Sequence, residues 1–151
     1  MTPSPPAMVR VSIDVQVDPE TAFRVFTEEI DAWYKRGRHT FYEPDRAIGI
    51  TFEPHVGGRL VEVYDADTGD GREMGRVTVW EPGRRLVFVD ARETEVDVRF
   101  EPADRGATRV TLEHRGFERL ADDEAEHHAR FGWRLLMPWY VNYVNRGVLN
   151  A

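Results

Sequence analysis

A histidine at the end of an alternating apolar segment is the residue best placed to do chemistry. Val110, Leu112 and His114 alternate with polar residues, and this period of two predicts a strand whose inner face carries all three. An inward imidazole can act in a cavity as a hydrogen-bond donor, an acceptor or a base. A lone inward histidine is more often a hydrogen-bonded structural residue, so both interpretations stay open.

A glutamate at position 62 is the second candidate, and its role depends on which face of its strand points inward. In the predicted strand over residues 59–65, Leu60 and Tyr64 share a face with Glu62, whereas two valines lie on the other face. If Glu62 points inward, its carboxylate needs a partner, for which Arg76 is the candidate, and it could complement the inward histidine as acid and base. If the valines point inward, Glu62 is a solvated surface acid.

Metal, thiol and cofactor chemistry have little support in the sequence. Asp123 with His127, and Glu124 with His128, stand four residues apart in a predicted helix, which is a spacing that can hold a metal. Both histidines fall off the apolar face and no third ligand is fixed by spacing, so a solvated acidic helix start explains them. The sequence has no cysteine, no Gly-x-Ser-x-Gly segment, no phosphate loop and no dinucleotide fingerprint. We therefore expect no metal and no cofactor.

Length and charge limit the classes of partner. The chain has 151 residues, with 27 acidic and 20 basic side chains and a formal net charge of −7. This length predicts a single domain over residues 9–151, after a proline-containing disordered tail over residues 1–8. The negative charge argues against nucleic acid or an anionic membrane as a partner. Because no segment resembles a transmembrane helix or a signal peptide, we expect a cytoplasmic protein.

The elements that would position these residues follow from periodicity and turn chemistry. Alternation from Val9 to Val17 predicts the first strand, and Asp18 with Pro19 predicts the start of a broken helix that ends near Lys35. Six further strands are predicted, and the last four form a meander with short hairpin loops. Their predicted ranges are 48–53, 59–65, 73–80, 85–90, 95–100 and 108–115.

The longest predicted element is a C-terminal helix from Asp122 to about Arg146. Its apolar arc is so broad that we expect a curved sheet to wrap around it, with Trp133 in the middle of the arc. Pro138 lies near the polar side, and we expect it to kink the helix towards the core. The arc comprises Ala129, Trp133, Leu136, Met137, Tyr140, Tyr143 and Val144, widened by Gly132, Leu135 and Trp139.

Four local motifs, combined with this element order, carry a resemblance to a known family. They are Val-Asp-Pro-Glu-Thr-Ala-Phe at 17–23, Gly-Gly-Arg at 57–59, Glu-Pro-Gly-Arg-Arg-Leu at 81–86 and Gly-Trp at 132–133. The chain resembles the helix-grip (START-like) superfamily of START lipid-binding domains, polyketide cyclases and birch-pollen-allergen-like proteins. Within it, the motifs are similar to the branch named for activators of heat-shock-protein ATPase. The resemblance implies an α+β fold in which a curved antiparallel sheet of six or seven strands wraps around the long C-terminal helix.

The same resemblance implies a cavity between the sheet and the last helix, where a small molecule would bind. Large aromatic side chains, several with a polar edge that can orient a ligand, would line it together with the two candidates described above. An aromatic residue at core spacing is about as often only a core residue. The predicted ligand-binding residues are Trp33, Tyr34, Glu62, Tyr64, Trp80, Phe88, His114, Trp133 and Tyr140.

Three functions are compatible with the sequence. The leading hypothesis is a non-enzymatic protein that binds a hydrophobic or aromatic small molecule. The second is an enzyme of the cyclase or aromatase kind, which requires His114 and Glu62 as acid and base in one pocket. The third, implied by the name of the branch, is a module that regulates a chaperone ATPase. The sequence leaves a monomer and a homodimer open.

Overall fold

A computed structural model describes residues 8–149, except for the side chains of Ala129, Arg130, Phe131 and Leu149. The tail predicted over residues 1–8 lies outside the described residues apart from Met8, which already belongs to the first strand. The helices are α1 (Pro19–Glu28), α2 (Ile30–Trp33), α3 (Asp122–Phe131) and α4 (Trp133–Leu149). Two short 3-10 turns lie at Asp104–Gly106 and Phe117–Arg119.

Seven strands of the described chain form one antiparallel sheet. They are β1 (Met8–Val15), β2 (Gly49–Phe52), β3 (Arg59–Val63), β4 (Gly71–Glu81), β5 (Arg85–Asp90), β6 (Glu95–Pro102) and β7 (Thr108–Arg115). Their order in the sheet is β1-β7-β6-β5-β4-β3-β2, so β2 to β7 form a meander and β1 closes it beside β7. The predicted fold class is therefore confirmed as α+β, with the sheet curled into a half-barrel around the C-terminal helix.

Irregular pairing helps the sheet to curl. The register shifts between Leu60 and Val61 where β3 pairs with β4, and between Val77 and Val79 where β4 pairs with β5. An extra residue on one strand bends it and increases its twist. The shift in β3 also explains why its faces were ambiguous in the sequence, because Leu60, Val61 and Glu62 are all buried.

The helices cover the inner face of the sheet and fill its concave side with aromatic rings. Phe26 of α1 is fully buried, and its ring centroid lies 5.1 Å from those of Trp33 and Tyr140 and 6.1 Å from that of Trp133. Asp18 precedes α1 as predicted, and its carboxylate accepts a hydrogen bond from the Thr21 hydroxyl. The predicted broken helix is also confirmed, since α1 and α2 are separate and end at Trp33.

The C-terminal helix differs from the prediction in the position of its break. The chain is interrupted at Gly132, between α3 and α4, whereas Pro138 lies inside α4 on its exposed side without ending the helix. A side chain at Gly132 would bring its Cβ to 2.3 Å from the His128 carbonyl oxygen, so this close passage of the backbone requires glycine. The predicted apolar face is otherwise largely right, but Leu135 is 49% exposed. The predicted member Ala129 lies outside the described side chains.

Candidate functional site

A cavity lies between the inner face of the sheet, the segment that connects α2 to β2, and the helices α3 and α4. Its volume is about 290 Å³, close to the lower end of the range of about 300 to 1,000 Å³ that is typical of small-molecule sites. Its interior wall is apolar and buried. The buried apolar residues on this wall are Ile30, Phe41, Leu60, Phe88, Val96, Trp133 and Leu136.

Aromatic side chains from three elements meet at the wall. The Trp133 ring of α4 lies 6.3 Å from the ring of Tyr34 and 6.4 Å from that of Phe88, and the indole is only 8% exposed. The Tyr34 hydroxyl donates to the Thr40 carbonyl oxygen at 3.1 Å. Burial, followed by nearby acidic groups, raises the pKa of Tyr34 above its ordinary value, so the phenol stays protonated.

His114 lines the cavity from β7 and carries an unsatisfied polar atom. Its side chain is buried, and its Nε2 lies 2.8 Å from the Thr94 hydroxyl. Its Nδ1 has no hydrogen-bond partner among the described residues. Burial, followed by the charge of His128, lowers the pKa of His114 to about 3, so the imidazole is neutral at ordinary pH. Nδ1 is itself closed off from solvent and from the cavity, so the part of His114 that faces a ligand is its ring and not this nitrogen.

Glu62 points inward, and its carboxylate is held by three hydrogen bonds. Its carboxylate accepts hydrogen bonds from the backbone N–H groups of Tyr42 and Glu43, at 2.7 Å and 2.9 Å, and from the Tyr64 hydroxyl at 2.5 Å. The suggested partner Arg76 is wrong, because Arg76 is exposed and pairs with Glu73. Three donors compensate the burial of the carboxylate. Glu62 therefore fixes the segment between α2 and β2, which forms one wall of the cavity.

The opening of the cavity is polar and rich in basic groups, in contrast to its interior. The Arg38 Nε donates to the His39 Nε2 at 3.3 Å, and the Arg92 Nη1 lies 2.9 Å from the His128 Nε2. Burial, followed by the charge of Arg92, lowers the pKa of His128. The exposed or half-buried polar residues at the opening are Arg38, His39, Thr40, Tyr42, Asp90, Arg92, His127 and His128.

The structure brings four of the nine predicted site residues to the cavity wall. These are Tyr34, Phe88, His114 and Trp133.

The other five lie outside the wall, each in a contact that accounts for it. The Trp33 indole N–H donates to the Val25 carbonyl oxygen at 3.2 Å. The Tyr140 hydroxyl donates to the Ala22 carbonyl oxygen at 2.7 Å. The Trp80 ring packs edge-on against Phe23 at 5.2 Å. Glu62 and Tyr64 are bonded to each other. These five residues serve the core or the wall segment.

Sequence reasoning missed the basic groups at the opening. Arg38 and His39 lie in a segment without periodicity, and no pattern indicated its direction. His127 and His128 were placed off the apolar face because the C-terminal helix was treated as continuous. The backbone at Gly132 is non-helical and separates α3 from α4, and the His128 ring lies 5.5 Å from that of His114. A glycine inside a long helical pattern was the signal that could have indicated this.

Two negative findings concern the described residues. No group of three or more histidine, cysteine, aspartate or glutamate side chains in this part of the chain is arranged to hold a metal ion. None of its helices has the length and apolar character needed to cross a membrane.

A curled antiparallel sheet that holds a C-terminal helix over a cavity defines a protein of the helix-grip class. The sequence comparison specifies the branch. The chain belongs to the family described as Activator of Hsp90 ATPase homolog 1-like protein, whose model matches residues 16–137. The family resemblance expected from the sequence motifs is thus confirmed. No curated protein matches the sequence.

Solved structures share this fold at low sequence identity. A Rhodobacter sphaeroides protein is 20% identical, with 99% of this chain and 97% of that chain covered and a TM-score of 0.65. The Aha1 dimer from Colwellia psychrerythraea is 17% identical, with coverages of 93% and 97% and a TM-score of 0.65. The AHSA1-like protein from Aeromonas hydrophila is 21% identical, with coverages of 93% and 95% and a TM-score of 0.63. At these identities the likeness shows the fold alone.

Proposed function

We propose that the protein is a non-enzymatic binder of a small hydrophobic or aromatic molecule, which occupies the cavity between the sheet and the C-terminal helices. The observation that carries this proposal is a buried apolar wall, rich in aromatic rings, that borders a cavity of about 290 Å³. Phe88 and Trp133 would contact an apolar body, and the His114 ring would lie beside it on the same wall. Transfer of an apolar ligand from water to such a wall is favourable.

An enzyme that uses His114 and Glu62 as acid and base has less support. The Glu62 carboxylate already accepts three hydrogen bonds and does not line the cavity, whereas His114 does. A general acid or base must reach the reacting atom within hydrogen-bond distance. The two groups do not share a pocket, which is the arrangement that this hypothesis requires.

The binding proposal can be tested by filling the cavity. Met74 lines it and is half-buried, so Met74→Trp should place an indole in the cavity with limited strain. We expect the wild type to bind N-phenylnaphthylamine saturably, measured by the rise in probe fluorescence, and the variant to lose at least about tenfold in affinity.

The matched control adds the same side chain elsewhere. Ile48 is 52% exposed and lies outside the cavity wall, so Ile48→Trp should bind the probe as the wild type does. Thermal melts of both variants report whether they fold. Probe binding that is unchanged in a folded Met74→Trp variant would place the probe elsewhere and contradict the proposal.

The family name supports a second candidate function, which is the regulation of a chaperone ATPase. The Colwellia relative is described as an Aha1 dimer, and both a monomer and a homodimer are compatible with the fold of this chain. If this function applies, adding the protein to purified Hsp90 should raise its ATPase rate. An unchanged rate, at protein concentrations well above that of the chaperone, would argue against it.

A further inference from the structure

The charge at the cavity opening is opposite in sign to the net charge of the whole chain. The formal net charge is −7, yet the described residues at the opening include two exposed arginines, Arg38 and Arg92, and a single carboxylate, that of Asp90. Among the described residues neither arginine has a carboxylate within salt-bridge distance, and their side chains instead contact the imidazoles of His39 and His128.

Further basic groups surround the two arginines. The His39 and His127 ring centroids lie 5.2 Å apart, and those of His127 and His128 lie 6.0 Å apart. The Asp90 carboxylate accepts a hydrogen bond from the Arg92 backbone N–H at 2.6 Å. Cationic guanidinium donors beside a buried apolar wall attract an anion, and guanidinium groups are well suited to carboxylate oxygens.

We infer that the ligand is an amphiphilic anion, with an apolar body inside the cavity and a carboxylate or similar acidic head at the opening beside Arg38 and Arg92. This inference rests on the proposed binding function and adds the chemical class of the ligand. The apolar body contacts Leu60, Phe88 and Trp133, and the head stays at the solvent edge, where its desolvation costs little. The small volume favours one short chain or one fused aromatic ring system.

A matched set of short-chain compounds tests the inference. Decanoate, decanol and decylamine share one apolar chain and differ in the charge of the head, and each can be titrated against bound N-phenylnaphthylamine at about pH 7.5, where the acid is ionised. We expect decanoate to displace the probe at the lowest concentration and decylamine at the highest. Arg38→Ala/Arg92→Ala should weaken the binding of decanoate by about tenfold and the binding of decanol and the probe by much less.

Control variants separate the local arginines from the overall charge. Arg10 is exposed on β1, outside the cavity, so Arg10→Ala changes the net charge of the chain without changing the opening. It should leave the affinity for decanoate as in the wild type. Arg38→Lys/Arg92→Lys keeps the charge and should restore part of the affinity that the alanine variant loses.

The outcomes distinguish this inference from the binding proposal. Equal affinity of the wild type for decanoate and decanol, with saturable probe binding, would overturn the anionic head and leave cavity binding intact. If the Arg38→Ala/Arg92→Ala variant lost affinity for decanol and for decanoate by the same factor, this would also overturn the anionic head. If the probe does not bind, calorimetry with decanoate decides. Saturable binding that depends on Arg38 and Arg92 supports the inference, and no binding overturns both proposals.

Discussion

The surroundings of His114 strongly disfavour its protonated form. Burial holds its pKa at about 3, well below the ordinary value of 6.5. Between these two values the unfolded chain binds a proton at this position and the native state does not, so protonation favours unfolding. The stability that depends on a neutral His114 is thus fully present above about pH 6.5, and it is lost as the pH falls towards 3. One proton changes the free energy of unfolding by at most about 1.4 kcal/mol per pH unit.

Replacing His114 with glutamine tests this pH dependence. The amide of His114→Gln can keep a hydrogen bond to Thr94 but does not titrate, so the variant should lose stability less steeply than the wild type between about pH 6.5 and 4. Urea unfolding at several pH values measures the two slopes. His55→Gln, which removes an exposed histidine, should keep the slope of the wild type. Identical slopes for the wild type and His114→Gln would contradict the assigned pKa direction.

Single residues also show where sequence patterns stop being informative. Alternation predicted that His114 points inward, and the structure confirms it, because the position of a side chain along a strand sets its face. Alternation could not give the partners of Glu62. Two of its donors are the backbone N–H groups of Tyr42 and Glu43, which lie 20 and 19 residues earlier in the chain. Hydrogen bonds to the backbone of an irregular segment leave no signal in residue type or spacing.

At the level of elements, the break at Gly132 sets the shape of the cavity opening. It ends α3 before α4 begins, and His127 and His128 of α3 lie at the opening while Trp133 of α4 lies at the wall. The prediction placed the kink at Pro138 because proline removes a helical hydrogen bond. Pro138 lies on the exposed side of α4, where the carbonyl left without a donor can bond water.

Gly132→Ala should therefore be costly. Its Cβ would lie 2.3 Å from the His128 carbonyl oxygen, so the backbone of α3 must shift. We expect a loss of about 1 to 3 kcal/mol in the free energy of unfolding, measured in urea, and weaker binding of N-phenylnaphthylamine.

A second glycine in the same helical region provides the control. A Cβ at Gly147 in α4 would meet nothing within 4 Å. Gly147→Ala should thus stabilise the protein by about 0.5 to 1 kcal/mol, because alanine favours the helix. Equal stability of Gly132→Ala and the wild type would show that the two helices can join without cost, and would contradict the role given to Gly132.

At the scale of the whole molecule, element order and type were predictable and the contents of the site were not. Periods of two and of about 3.6 residues report which face of an element is buried, and they indicated seven strands, an early broken helix and a C-terminal helical region. The cavity depends instead on contacts between distant segments. Arg38 and Arg92 come to one opening from a loop and from the β5–β6 turn, and no local pattern relates them.

The cavity draws its walls from both halves of the chain, so a bound ligand should stabilise the whole domain. Lining residues extend from Ile30 to Leu136 and come from strands and helices that must all be folded for the site to exist. A ligand that binds only the native state adds about 2.7 kcal/mol to the free energy of unfolding at 100 times its Kd. For a domain of this size we expect the melting temperature to rise by about 5 to 10 °C.

Thermal melts with increasing decanoate or N-phenylnaphthylamine measure this shift. The shift should grow with the logarithm of the ligand concentration above Kd. Met74→Trp, which fills the cavity, should show a clearly smaller shift than the wild type at the same ligand concentration, whereas Ile48→Trp should respond as the wild type does. If a folded Met74→Trp variant showed the full shift, the ligand would be acting at another surface, and the cavity enclosed by the sheet, α3 and α4 would not be the binding site.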